Sequence, residues 1–242
     1  MRGIKTLQSE TDLPQGDAKV RAVREMFDTI APRYDLVNRI MTFGLDTVWR
    51  RRTLDALGLD ALGLEQGVVV ADLASGTGDL CRMTQRRGMR PIGFDLSMGM
   101  LGQARTSAPM IQADAGHLPL PDGSVDGVTC GFGLRNFVSL PIVFNEMGRV
   151  LRPGGRIALL DVAVPINPVL RWGHGWYFGR VVPRIGALFS DAGAYRYLPR
   201  SVSYLPTPAE MVGLLADAGF VDVRHRFLAG GITQLLTGAR PT

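Results

Sequence analysis

The chain has 242 residues, 46% of them hydrophobic and 20% charged, which is the composition of one well-buried domain and leaves little room for two. The formal net charge is +5, yet Lys5 and Lys19 are the only lysines and the arginines are spread along the chain without aromatic interleaving, so no nucleic-acid surface is expected. No apolar run approaches the ~20 residues that span a bilayer, and Met1 to Glu10 lack the apolar core of a signal peptide, so a cytoplasmic location is expected.

Residues 1–17 read as a flexible N-terminus, and 18–242 as a single domain. From Ala18 a helix is predicted, with Val20, Val23, Met26, Phe27 and Ile30 on one face, ended by Pro32. Tyr34 to Asn38 and Phe43 to Arg52 follow, and 18–66 is expected to form a helical cap over a cofactor crevice.

Val69 to Leu73 is an apolar run carrying Asp72. It leads into the small-residue loop Ala74-Ser75-Gly76-Thr77-Gly78 and a helix at Asp79, a buried parallel strand turning into a helix with its ligand at the strand's carboxyl end. Gly76 and Gly78 let backbone N–H groups come close to that ligand. Cys81 stands where a dinucleotide fingerprint wants a small residue, Asp79 stands where pyrophosphate would lie, and no Gly-Lys-Ser/Thr follows, so phosphate is disfavoured. S-adenosylmethionine fits better, because it has no phosphate and its cationic ammonium and sulfonium suit Asp72 and Asp79.

Arg90 to Asp95 is a second strand ending in an acid, 19 positions after Gly76, near the spacing of ~20 for a ribose-binding carboxylate. The alternative role for Asp95 is to start the turn before an N-cap Ser97. Met98 to Arg105 reads as a helix weakened by two glycines, and Met110 to Ala115 as a third strand, with Asp114 and the Ala115 N–H placed for adenine. Val125 to Gly131 is a fourth strand, followed by Phe132-Gly133-Leu134-Arg135-Asn136 at its carboxyl end. A helix through Ile142 and Val150 precedes a fifth strand, Arg156 to Val162. Ala209 to Ala218 is a helix, and Phe220 to Leu228 and Ile232 to Thr237 are strands. Cys81 and Cys130 lack metal or redox spacing and His117, His174 and His225 are scattered, so no metal site is expected.

With these motifs in place, the chain resembles the ubiquinone/menaquinone biosynthesis C-methyltransferases, a branch of the class I S-adenosylmethionine-dependent methyltransferases. The resemblance runs from about Val23 to Gly231 through Phe27 to Asn38, Asp72 to Asp79, Gly131 to Asn136, Leu151 to Arg156 and Asp191 to Ser201. Phe-Gly-Leu-Arg-Asn and the Tyr-Arg-Tyr-Leu beginning at Tyr195 are its most specific parts. It implies an α/β Rossmann-like fold with helices on both faces of a seven-stranded, mostly parallel sheet whose last strand is antiparallel. It also implies cofactor binding through Thr77, Asp95, Asp114, Ala115 and the position of Gly131. The reaction it implies is methyl transfer to a ring carbon of a prenylated quinol, most of all demethylmenaquinol, made nucleophilic as the neighbouring phenol loses its proton.

Arg135 is the candidate for stabilising the phenolate, with anchoring of the sheet end as the competing role; Tyr34, Asn136 and Tyr197 are candidates for orienting quinol oxygens. Two other readings stay open: a different phenolic acceptor, or a non-catalytic cofactor-binding scaffold subunit. An insertion at about 165–206 contains the apolar, aromatic stretch Val169 to Phe189, punctuated by arginines, which can meet a membrane surface, a second copy in a homodimer, or the chain's own sheet; exposure of Leu188 and Phe189 would discriminate. The chain departs from the family at Gln234 to Gly238, and at Asp161 to Pro165 where relatives carry Glu-Phe-Ser-Lys-Pro.

Overall fold

A computed structural model describes residues 15–59, 67–182, 184 and 201–242. Tyr197, Leu188, Phe189 and most of the predicted flexible terminus lie outside the described residues. The helices are α1 (Gly16–Ile30), α2 (Tyr34–Met41), α3 (Leu45–Leu57), α4 (Asp79–Gln85), α5 (Met98–Gly102), α6 (Leu140–Val150), α7 (Pro168–Trp176) and α8 (Pro208–Asp217). The strands are β1 (Val69–Leu73), β2 (Arg90–Asp95), β3 (Met110–Gln112), β4 (Val125–Gly131), β5 (Leu151–Val162), β6 (Val221–Leu228) and β7 (Thr233–Ala239).

They form one seven-stranded sheet in the order β3-β2-β1-β4-β5-β7-β6, with β7 antiparallel to both neighbours. This is the predicted fold class. Alternation along the central strands explains why helices cover both faces: Ala71 and Leu73 of β1 and Ile157 and Leu159 of β5 pack with Phe144 and Met147 of α6, whereas Val70 and Ala158 pack with Leu57 of α3. Each of these large side chains contributes roughly 1.5–3 kcal/mol when fully buried. The sheet reverses its winding between β1 and β4, so a crevice opens at the carboxyl ends of those two strands.

Three predicted bounds differ by three residues or more. The third strand ends at Gln112, because Asp114 Oδ1 accepts from Gly116 N at 2.9 Å and turns the chain. The fifth begins at Leu151, paired with Val125, and a register shift accommodates the Pro153-Gly154-Gly155 turn within it. The helix after β2 spans only Met98–Gly102, and its Gly99 is pressed against α1: a Cβ there would lie 2.8 Å from Asp28 Cα. Gly99→Val is therefore expected to lower stability by about 1–3 kcal/mol through overpacking, read by urea unfolding; a wild-type midpoint would show that the two helices are not in close contact.

Candidate active site

The loop after β1 is bent by left-handed residues, Ala74 at φ 50, Gly76 at φ 56 and Gly78 at φ 80. Only glycine fits at Gly78, where a Cβ would also meet Thr106 Cγ2 at 2.7 Å. Asp95 ties this loop to the end of β2, its Oδ2 accepting from Gly76 N at 2.8 Å and its Oδ1 from Ser97 N at 2.9 Å. Ser97 is the N-cap of α5, its Oγ accepting from Met100 N at 3.0 Å, so the capping turn and the ligand-facing carboxylate occur together. A carboxylate accepts about four hydrogen bonds, and the backbone uses two of Asp95's.

A cavity of about 270 Å³ follows the carboxyl ends of the strands from β3 to β4. Asp114, Ala115, His117 and Ile142 line it on the β3 side, Asp95 and Gly76 lie centrally, and Asp72, Arg50, Gly131, Phe132 and Asn136 line it toward β4, with Tyr34 and Thr77 also on the wall. Two buried polar atoms in this lining, Ser75 Oγ and Asn136 Oδ1, have no partner among the described residues. A ligand that hydrogen-bonds there removes their desolvation penalty.

Asp72 is buried at the carboxyl end of β1, where it accepts from Thr129 Oγ1 at 2.8 Å and from the Cys81 thiol at 3.5 Å. Burial outweighs these bonds and pushes its pKa up to about 7. A cationic ligand favours the carboxylate, so below pH 7 binding must displace a proton. Donor affinity is expected to fall by up to about tenfold per pH unit below about 7, and titration calorimetry should find this dependence removed in Asp72→Asn; an identical pH profile in the variant would free Asp72 of that role. Asp79, the other acid expected beside the positive charge, also lines the cavity, where it pairs with Arg82 and lies 3.9 Å from Arg50 Nη1.

The N-terminal helices close the crevice through polar clamps. Asp28 of α1 accepts from Ser97 Oγ at 2.5 Å and Gly99 N at 2.8 Å, and Asp35 of α2 accepts from Thr77 Oγ1 at 2.6 Å. Lys19 donates to Phe137 O at 2.7 Å and sits 3.7 Å from the centre of the Tyr204 ring; burial lowers its pKa to about 8.

Arg135 points elsewhere than the cavity. Its guanidinium pairs with Asp161 and donates to Phe132 O at 2.7 Å and Ser201 Oγ at 3.2 Å, while its N–H donates to Asp161 Oδ2 at 3.1 Å. These bonds fix the turn on which Phe132 takes φ 67 and Asn136 faces the cavity. The structure thus brings Tyr34, Asp72, Gly76, Thr77, Asp95, Asp114, Ala115, Gly131 and Asn136 to one cavity, and leaves Gly78 and Arg135 behind its wall. At Gly131 a Cβ would meet Leu80 Cδ1 at 2.9 Å, so only its backbone is available there. Ser75, Arg50 and the clamping acids Asp28 and Asp35 escaped the sequence reading; only Arg50 left a trace, as the i+4 partner of Asp46.

These residues fit S-adenosylmethionine. Asp95 retains acceptor capacity for ribose hydroxyls, Asp114 and Ala115 border an apolar slot suited to adenine, and Asp72 offers an anion toward the sulfonium side. The family model described as the ubiE/COQ5 methyltransferase family matches residues 15–240. The chain belongs to this family. Among its relatives within the ubiE/COQ5 methyltransferases, a demethylmenaquinone methyltransferase of Thermus thermophilus is 42% identical, over 89% of this chain and all of that protein. A ubiquinone/menaquinone biosynthesis C-methyltransferase of Syntrophotalea carbinolica is 40% identical, over 90% of this chain and 93% of its own. The magnesium protoporphyrin IX methyltransferase of Synechocystis, solved with S-adenosylhomocysteine, has the same fold: TM-score 0.62 at 19% identity, over 92% of this chain and 99% of that one. In this ubiE/COQ5 methyltransferase the loop after β1 and the Phe132–Asn136 turn meet at one cavity.

Proposed function

We propose that the protein transfers the methyl group of S-adenosylmethionine to a ring carbon of a prenylated quinol, with demethylmenaquinol as the acceptor. The observation that carries this reading is the near full-length similarity to relatives named for that reaction, and the acid-lined, phosphate-averse cavity supports it. When bound, the cofactor supplies an electrophilic methyl on a sulfonium. The chain's own residues position and hold charge. Asn136 Oδ1, buried on the cavity wall and without a partner among the described residues, accepts a hydrogen bond from a quinol hydroxyl. Tyr34 orients the ring from the cap; burial raises the pKa of its phenol, the Arg135 and Arg50 charges oppose the rise, and it stays a donor at neutral pH. Arg135 acts as a positioning residue that keeps the Phe132–Asn136 turn in place, and its charge favours phenolate only at a distance.

The prenyl tail has apolar ground to cross. Among the described residues, Phe43 is 78% exposed, Val169 76% and Trp172 75%, and Phe43 meets the Tyr177 ring with centroids 5.9 Å apart, joining the α2–α3 corner to the end of α7. No described helix is long and apolar enough to cross a membrane; the exposed apolar side chains of this face suit peripheral contact with a bilayer surface or with a second copy of the chain. Vesicle co-sedimentation against light scattering separates the two.

The test is incubation with labelled donor and a panel of demethylated naphthoquinols, benzoquinols and tail-free phenols, read by mass spectrometry. Methylation of a prenylated naphthoquinol is expected; methylation of other phenols only would move the acceptor, and none at all would favour a scaffold subunit.

A further inference from the structure

Resting on the cofactor reading above, we infer that Arg50 recognises the carboxylate of the donor's methionine portion, and that Asp46 and Phe132 hold its guanidinium in place to do so. Three arginines and two acids meet beside the cavity. Asp46 is shared by Arg50, whose Nη1 donates to it at 2.9 Å, and by Arg39 at 3.3 Å; Asp79 is shared by Arg82 and, at 3.9 Å, by Arg50. The side chains of Arg39 and Arg82 are 47% and 31% exposed and water screens them, whereas that of Arg50 is 9% exposed and lines the cavity, so it is the arginine placed to meet a ligand's anion.

Nη1 is the one nitrogen of Arg50 with a hydrogen bond among the described residues, so Nε and Nη2 remain as donors in the planar fork that suits a carboxylate. The fork is set before any ligand arrives. Its Cζ lies 5.2 Å from the centre of the Phe132 ring, and Asp46, oriented by a further bond from Thr42 Oγ1 at 3.1 Å, grips Nη1. Gly131 is a neighbour here too: the position of its absent Cβ is 4.0 Å from Arg50 Nε, an ordinary van der Waals distance. Asp72 lines the same part of the cavity, and the Arg50 charge is felt there. One buried cation beside one buried acid is what an α-amino acid requires, since its carboxylate and ammonium sit on the same carbon. A phenolic acceptor carries no such pair.

The test compares S-adenosylmethionine with its decarboxylated analogue, which keeps the adenosine, sulfonium and amine, in titration calorimetry on the full chain. Wild type is expected to prefer the intact donor by roughly 30-fold or more. Arg50→Gln is expected to shrink this preference to about threefold or less while holding the analogue within about threefold of its wild-type affinity. Asp46→Asn/Arg50→Gln, which removes both charges of the buried pair, gives the same readout should the single variant fail to fold. The inference is overturned if the variants keep the preference, if they lose both ligands equally, or if wild type does not discriminate. Wild type that binds neither ligand overturns the cofactor reading itself.

Discussion

Replacing Arg135 by Ala is expected to lower the unfolding free energy by about 3–5 kcal/mol, measured by urea denaturation. The reason is the state of its partner. Asp161 is fully buried at the carboxyl end of β5, and its two oxygens are satisfied by the Arg135 guanidinium and N–H and by Val162 N at 2.7 Å. Removing the guanidinium leaves a carboxylate with no counter-charge in a place that water does not reach. Replacing both partners with apolar residues of similar size, Arg135→Met with Asp161→Leu, is expected to lose much less than the single change. Loss of turnover in Arg135→Ala therefore reports first on the Phe132–Asn136 turn. A variant that unfolds like wild type and still loses turnover would put Arg135 against the acceptor instead.

Asp95→Ala is expected to weaken donor binding by about 100-fold or more, since two hydrogen bonds to a charged group are worth roughly 1.5–3 kcal/mol each. The same change strips Gly76 N and Ser97 N of their acceptor, so the glycine loop loses its tie to β2 as the ligand loses its anchor. Burial raises the Asp95 pKa while its backbone donors pull it down. Asp95→Asn keeps one carbonyl acceptor and is expected to bind the donor better than Asp95→Ala. Titration calorimetry decides: wild-type affinity in Asp95→Ala would move the ribose away from the end of β2.

The strand ends were the legible part of the sequence. An apolar run closing on an acid, then small residues, reads as a buried strand whose carboxyl end faces a ligand, and β1 with Asp72 and β2 with Asp95 follow that rule. The fourth strand matches its predicted bounds because Val125 to Gly131 is flanked by turn residues on both sides. The partners of charged residues were not legible. Nothing local to Arg135 names Asp161, 26 positions on, and the choice between facing the acceptor and anchoring the sheet rests on that contact. Arg50, Arg51 and Arg52 look alike in sequence; the contact with Phe132 and the bond to Asp46 turn the first inward, while the others are exposed. Asp28 and Asp35 read as ordinary charges on solvent-facing helices, because their partners at Gly99 and Thr77 lie 71 and 42 positions away.

The acceptor carbon is where the proposal is most exposed to test. Incubation of the full chain with a methyl-13C donor and reduced demethylmenaquinol, followed by carbon NMR of the extracted quinone, locates the new bond. Label on the ring carbon beside a hydroxyl-bearing carbon is the expected result; label on a phenolic oxygen, or a naphthoquinol recovered without label while the donor is bound, would contradict it.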